Sequence, residues 1–362
     1  MNFDVIVQYI FSGLTYGSIY AVVAIGFNII YNSTGIINFA QGEFVMLGSM
    51  SAYTFSHQMP LVPAIILAVL LTTLIGSLIE LVFIRGLVRK SQFQMNVLLS
   101  GAVVLILSVL FHGKGSNPAL FFPVTGICLV ILILLFNGLW IFFKPFSKLF
   151  QSSGKADVLQ MIVLTIGLSI ILREIALHIW GEQVRTLPYF TGNEVSSLGF
   201  LGAHFSPQIL WVIGTTALIV IGLTLFFQFT LTGQAMRGCS ANMDGARLCG
   251  INPQRMVNLS FALSAGIGAL AGCVTAPLTQ THYAIGTELA IKGFTVAIFG
   301  GLGNSVAAVF AGLLLGILES FSIVIFPEAF KDVVTIGILL IILVVRPSGL
   351  FGSKTASSLK EF

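Results

Sequence analysis

Apolar runs of about 20 residues recur along this chain, separated by short polar breaks, and no other feature constrains its fold as much. At ~1.5 Å of rise per residue, ~20 apolar residues carry a helix across the hydrocarbon core of a bilayer. Candidate crossings are Val5–Ile30, Ile36–Phe55, Leu61–Ile84, Val97–Phe111, Pro123–Phe143, Val158–Ile179, Pro207–Phe229, Met256–Leu278, Leu289–Phe299, Ser305–Phe326 and Lys331–Val345. The segments starting at Val97 and Leu289 are short, which suits a tilted, internally buried or re-entrant helix. Charged residues make up only 8% of the 362, and mean hydropathy is +1.01. A soluble domain carries about a quarter charged residues, so lipid must cover this surface. The expected fold class is an all-α polytopic integral membrane protein.

Basic residues orient the spans. Arg85, Arg89 and Lys90 share one loop; Lys144, Lys148 and Lys155 another; Arg237, Arg247 and Arg255 a third; Arg346, Lys354 and Lys360 follow the last span. Alternating the crossings puts all four clusters on one side, the cytoplasm, with Lys114, Arg185 and Lys331 opposite. The N-terminus then lies outside and the C-terminus inside. The opening MNFDVIVQYIF has no basic n-region and reads as the start of the first span. Cys128, Cys239, Cys249 and Cys273 are scattered, with neither CxxC nor a histidine at metal spacing, so they are expected to be reduced. A net charge of +4, dispersed over loops, points away from nucleic acid.

Three segments place glycines four apart on one helix face: Gly13 and Gly17, Gly268 and Gly272, and Gly312 and Gly316. Such faces let helix backbones approach closely in lipid. They suit bundle packing, and also a sliding surface.

Two glycine-rich polar stretches interrupt the apolar pattern. Asn32–Met50 carries Asn38, Gln41, Gly42 and Glu43. A carboxylate within the membrane costs ~2.5–3.5 kcal/mol on the insertion scale, so Glu43 should face the bundle interior or water. It either lines a path or pairs structurally, at a helix entered from an irregular segment. Thr279–Asn304 carries Glu288 and Lys292 at i,i+4, an order that favours a helical ion pair. It ends in Gly300, Gly301, Gly303 and Asn304, expected to be a helix break. Each stretch follows a small-residue helix, one in each half of the chain, a weak echo of an internal repeat. In the Val158–Ile179 span, Arg173, Glu174 and His178 form either a gate or an interfacial cluster.

Between two spans, Thr232–Arg255 is too polar to cross. Cys239–Leu248 is expected to be a short helix stopped by Gly250, with Pro253 starting the next span. Enzymatic signatures are missing: no GxSxG, no HExxH, no paired carboxylates. GLFGSKT, Gly349–Thr355, fails the phosphate-loop spacing, with Ser353 where glycine is required.

The stretch GLTYGSIYAVVAIGFNIIYNSTGIINFAQGEF resembles the opening of LivH-type permeases of branched-chain amino acid ABC transporters, with Ile37–Glu43 matching the family's INFA-(His/Gln)-GE motif. GQAMRGCSANMDGARLCGIN is similar to the family's cytoplasmic loop, and GGLGNSVAAVFAGLLLGILES and KDVVTIGILLIILVVRPSGLFG to its C-terminal signature. The resemblance covers about Phe3–Lys90 and Ala156–Lys354. It departs at Ser91–Lys155, where two extra hydrophobic segments form an inserted hairpin. That divides the chain into core spans 1–90, the hairpin 91–155, and a second core part 156–362 containing the loop 231–255, with about nine core spans in all.

The resemblance implies an ABC-importer permease in the inner membrane, translocating branched-chain or related amino acids, with no cofactor of its own. Its partners would be a second, LivM-like permease subunit, two ATPase subunits that bind the ATP, and an extracytoplasmic solute-binding protein. Asn38, Gln41, Gly42, Glu43, Gly300, Gly301, Gly303 and Asn304 would shape the translocation core. Arg237, Asp244, Ala246, Arg247 and Gly250 would form the ATPase-coupling element. The alternatives are a urea or short-amide permease of the same kind, and a stand-alone transporter or channel.

Overall fold

The computed structural model of the chain describes residues 3–81, 158–193, 196–200, 203–325, 327, 330–346 and 349–350. The hairpin 91–155, with its expected spans Val97–Phe111 and Pro123–Phe143, lies outside the described residues. So do Arg85, Arg89, Lys90, Lys114, Lys144, Lys148, Lys155, Lys354 and Lys360.

In chain order the described elements are α1 Phe3–Thr34, α2 Gln41–Ser56, α3 Leu61–Ile79, α4 Val158–Trp180, β1 Leu198–Phe200, β2 Ala203–Phe205, α5 Gln208–Phe229, α6 Leu231–Ala241, α7 Met243–Leu248, α8 Pro253–Thr279, α9 Ile285–Gly300, α10 Ser305–Ile325 and α11 Lys331–Val345. Among the described residues six helices are long and apolar enough to span a membrane: α1, α3, α4, α5, α8 and α10. The chain is a multi-pass membrane protein. The β1–β2 hairpin is a small antiparallel ribbon, seated on the start of α1 through stacking of Phe205 on Phe11 at 4.5 Å.

Burial sorts the helices. α1 and α8 are mostly enclosed, whereas α3, α4 and α5 bury only about a quarter of their most apolar stretch. Leu67, Leu70, Leu74 and Leu78 of α3, and Val163, Ile166 and Ile170 of α4, remain exposed. Apolar side chains in such numbers on outer helices form the lipid-facing belt. At the centre is α2, whose residues Gln41–Ala52 are all buried.

The halves of the chain repeat one three-helix unit. α2 and α9 are both 16 residues long, and α2/α9 and α3/α10 begin at a constant offset of 244 residues, 41 to 285 and 61 to 305. At that offset Ala64, Ala68, Thr72 and Gly76 of α3 correspond to Ala308, Gly312, Gly316 and Ser320 of α10, and both rows are buried. Each row packs on the first helix of the other unit. A Cβ on Gly13 would come within 2.7 Å of Ile317 Cα, and one on Gly17 within 2.6 Å of the Gly312 carbonyl. The glycine faces of α1 and α10 are thus packed against each other, antiparallel, where only glycine lets the backbones touch. On the other side, a Cβ on Gly76 of α3 would meet the Phe261 carbonyl of α8 at 3.0 Å.

The third glycine face, on α8, packs on α2. A Cβ on Gly268 would lie 3.2 Å from Phe44 Cβ, and a Cβ on Gly272 would strike the Val45 carbonyl. Of the two uses expected for such faces, close packing is what Gly272 and its counterparts on α1 and α10 display. α1 and α8 also run antiparallel: Ser264 meets the Gly26 carbonyl, Ile30 shares one apolar cluster with Phe261, and Val22 shares another with Ala271. The two units are therefore inverted relative to one another, an arrangement common in transporters.

Candidate functional site

Gly35, at φ 71°, ends α1, and residues 36–40 run without helix into α2. This irregular backbone is held by side chains of other helices. Thr165 Oγ1 of α4 accepts from Phe39 N at 3.3 Å. Asn38, buried, accepts from Ala40 N through its Oδ1 at 3.2 Å and from Gln41 N through its carbonyl at 3.1 Å. Its Nδ2 is buried and has no partner among the described residues.

Gln41 is fully buried against α8. Its Nε2 donates to the Ser264 carbonyl at 3.3 Å, and Ser264 Oγ lies 2.6 Å from its Oε1 and 2.9 Å from the Gly26 carbonyl. One hydroxyl proton serves one of those two acceptors at a time. The pair joins α1, α2 and α8.

Glu43 is also fully buried, and three helices converge on it. Its Oε1 accepts from Ser169 Oγ of α4 at 2.8 Å and from Thr287 Oγ1 of α9 at 3.1 Å. A Cβ on Gly286 would come within 2.5 Å of the other oxygen, Oε2, which has no hydrogen-bond partner among the described residues. Glu43 and Thr287 occupy the first turns of α2 and α9, and a Cβ on Gly42 would strike the Gly286 carbonyl. The two helices therefore meet through their N-terminal turns. Gly42/Gly286 and Glu43/Thr287 are equivalent pairs at the 244-residue offset, so the contact lies on the pseudo-twofold axis of the repeat. Acidic oxygens are favoured where two helix N-termini face them. What the described residues form at this centre is a hydrogen-bonded junction.

Gly300–Asn304 forms the junction between α9 and α10. Gly301 and Gly303 have φ values of 103° and 94°, accessible at little cost only to glycine. Two asparagines of α1 clasp the turn: Asn28 Oδ1 accepts from Gly303 N at 3.0 Å, and Asn32 Nδ2 donates to the Gly303 carbonyl at 2.9 Å. The glycine turn thus sits apart from the Glu43 junction, at the opposite end of α9. Sequence reasoning missed Asn28, Asn32, Ser169, Ser264 and Thr287. The usable signal was Asn28 and Asn32, amides four apart on one face of an apolar helix.

The expected Glu288–Lys292 pair does not form. Lys292 Nζ reaches Glu319 Oε1 of α10 at 2.7 Å and Asp332 Oδ1 of α11 at 3.0 Å, while Lys331 lies 3.7 Å from Glu319. Glu288 is exposed, 3.9 Å from His282. The buried Glu319 carboxylate needs a cation more than a solvated Glu288 does. In α4, Arg173 lies 3.9 Å from Glu174, and His178 Nδ1 is 2.8 Å from the Glu174 carbonyl.

The loop expected to hold one helix over Cys239–Leu248 holds two. Asn242 breaks it in an extended conformation, its Oδ1 accepting from Gly245 N at 2.9 Å to cap α7. An asparagine that can cap competes with helix continuation. Gly250, at φ 79°, ends the turn after α7, and Asn252 caps α8 with Pro253 in its first turn. Asp244 and Arg247 pair at 2.9 Å on the outside, and Ala246 is buried. Arg237 is exposed and has no hydrogen bond or ion pair among the described residues. Among the described residues no cluster of three or more His, Cys, Asp or Glu could hold a metal.

Residues 9–122 and 96–343 match the family model described as branched-chain amino acid transport system, permease component. The chain is 28% identical over 95% of both chains to the high-affinity branched-chain amino acid transport system permease protein BraD of Pseudomonas aeruginosa. The permease protein LivH of Escherichia coli K12 shows the same identity, again over 95% of each chain. The probable LivH of Methanocaldococcus jannaschii is 22% identical over 94% of this chain and 90% of its own. No solved structure matches.

Proposed function

The chain belongs to the branched-chain amino acid transport permease family, and from that premise we propose that it is the membrane-spanning subunit of an ABC importer for branched-chain or related amino acids. It is a transport subunit, not an enzyme. The observation that carries this reading is the likeness to BraD and LivH over 95% of the chain, which takes in every element of the buried junction around Glu43.

In this reading a second permease subunit of LivM type stands beside the chain, two ATPase subunits bind ATP at the cytoplasmic face, and an extracytoplasmic protein delivers the solute. The N-terminus lies outside and the C-terminus in the cytoplasm. The α6–α7 loop, with Arg237 and Arg247, and Arg255 in the first turn of α8 then face the cytoplasm as their basic charge requires. Arg237, Asp244, Ala246, Arg247 and Gly250 form the element the ATPase grips. Its caps at Thr230, Asn242 and Asn252 keep it stiff enough to pass on a push.

Asn38, Gln41, Gly42, Glu43, Gly300, Gly301, Gly303 and Asn304 shape the translocation core, at two places. Glu43 holds α2, α4 and α9 together at the centre, while the glycine turn, clasped by Asn28 and Asn32, sets the position of α9 against α10. ATP binding drives transport only if it stabilises one arrangement of these helices over another.

The test is purification of the chain from native membranes in mild detergent, followed by reconstitution of what remains bound. A second permease chain and ATPase subunits should co-purify, and vesicles carrying the complex and its binding protein should take up leucine on ATP addition. Recovery of the chain alone, or uptake driven by an ion gradient without ATP, would overturn the reading.

A further inference from the structure

A cavity of about 440 Å³ opens between the C-terminal half of α1, α5, α6 and the α9–α10 turn. That volume is in the range of small-molecule sites, ~300–1,000 Å³. Its lining is mixed: Ile29 of α1 and Val220 and Phe227 of α5 are apolar, while Asn32 of α1, Gln228 of α5, Arg237 and Ser240 of α6 and Asn304 of the turn are polar. Among the described residues the lining has one cationic side chain and no carboxylate. Arg237, with no ion pair among the described residues, can give its guanidinium donors to a ligand, and Ser240 adds a hydroxyl one turn away. A guanidinium fork beside an apolar wall recognises a carboxylate carried on a hydrocarbon body.

We propose that this cavity is a binding site for a small aliphatic carboxylate present on the α6 side of the membrane, distinct from the Glu43 junction. Resting on the importer reading, the inference gives the site a consequence. The cavity is walled by the element proposed to receive the ATPase and by the turn that positions α9, so an occupant sets their spacing. A branched-chain amino acid, the proposed cargo, and the 2-oxo acid formed by its deamination share the required chemistry.

Three probes separate the sources in equilibrium binding to the full chain in lipid nanodiscs, without ATPase or binding protein: L-leucine, 4-methyl-2-oxopentanoate and L-leucinamide. One or both carboxylates should bind saturably, with the amide, which lacks the carboxylate, at least tenfold weaker. Leucine alone identifies the cargo as occupant; the oxo acid alone identifies the deaminated product. Val220→Trp, which fills the cavity from α5, should weaken binding at least tenfold. Ser240→Glu, at an exposed position, should do the same by setting a negative charge beside Arg237, and it carries the test should Val220→Trp misfold. The inference is overturned if neither carboxylate binds saturably, if leucinamide binds as well as leucine, or if binding survives in folded Val220→Trp or Ser240→Glu. Because the ATPase is absent, these results are independent of whether the complex imports leucine.

Discussion

Gly42→Ala and Gly222→Ala are one chemical change with opposite expected outcomes, because the two glycines differ only in what surrounds them. At Gly222, on the exposed face of α5, a Cβ would meet nothing within 4 Å. Alanine there should be neutral or stabilise the helix by ~0.5–1 kcal/mol. At Gly42 the new methyl would strike the Gly286 carbonyl and come within 2.8 Å of Ala290 Cβ. Both are fixed atoms of α9, so the crossing must open by well over an ångström to reach ordinary contact. Overpacking of this kind costs ~1–3 kcal/mol. The same displacement stretches the 3.1 Å hydrogen bond between Thr287 and Glu43 beyond useful length, adding ~0.5–1.5 kcal/mol. Gly42→Ala should therefore be less stable than wild type by ~1.5–4.5 kcal/mol. Mixed-micelle unfolding of both variants, read by circular dichroism, measures the difference. If Gly42→Ala unfolds like Gly222→Ala, the helices do not meet at Gly42 and Gly286, and the account of the central junction fails.

Three further outcomes are expected. Glu43→Gln keeps an acceptor for Ser169 and Thr287, so yield should change little while ATP-driven uptake falls severalfold; loss of folded protein without a specific uptake defect would make Glu43 structural only. Gly250→Val forces a β-branched residue to φ 79°, which should lower solute-stimulated ATP hydrolysis more than it lowers yield, and unchanged stimulation would remove α6–α7 from the coupling role. Lys292→Ala strips the nearer of two cations from Glu319, which is 1% exposed, and with Lys331 left at 3.7 Å should cost less than the ~3–5 kcal/mol of a fully unpaired buried charge, about 1–3 kcal/mol. The double variant Lys292→Ala/Glu319→Ala should recover part of that loss in a double-mutant cycle, and strict additivity would show the two groups to be uncoupled.

The sequence alone determined that the chain lies in a membrane and where most of its helices run, because ~20-residue apolar runs have no other stable environment. It marked Gly301 and Gly303 as a helix break and Gly250 as a stop, since local backbone chemistry dictates both. It also singled out Glu43 as a carboxylate that must be buried. Periodicity could not say which helices touch. That the glycine face of α1 meets that of α10, that Gly272 of α8 lies on the backbone of α2, that α2 and α9 meet at equivalent positions of an inverted repeat, and that Ser169 and Thr287 share one oxygen of Glu43 all depend on residues 126–304 positions apart in the chain. The local rule even pointed the wrong way at Lys292. An i,i+4 spacing makes Glu288 available, but a buried Glu319 loses its water on folding and binds the cation more strongly. Local spacing proposes partners for a charge; the environment created by packing decides among them.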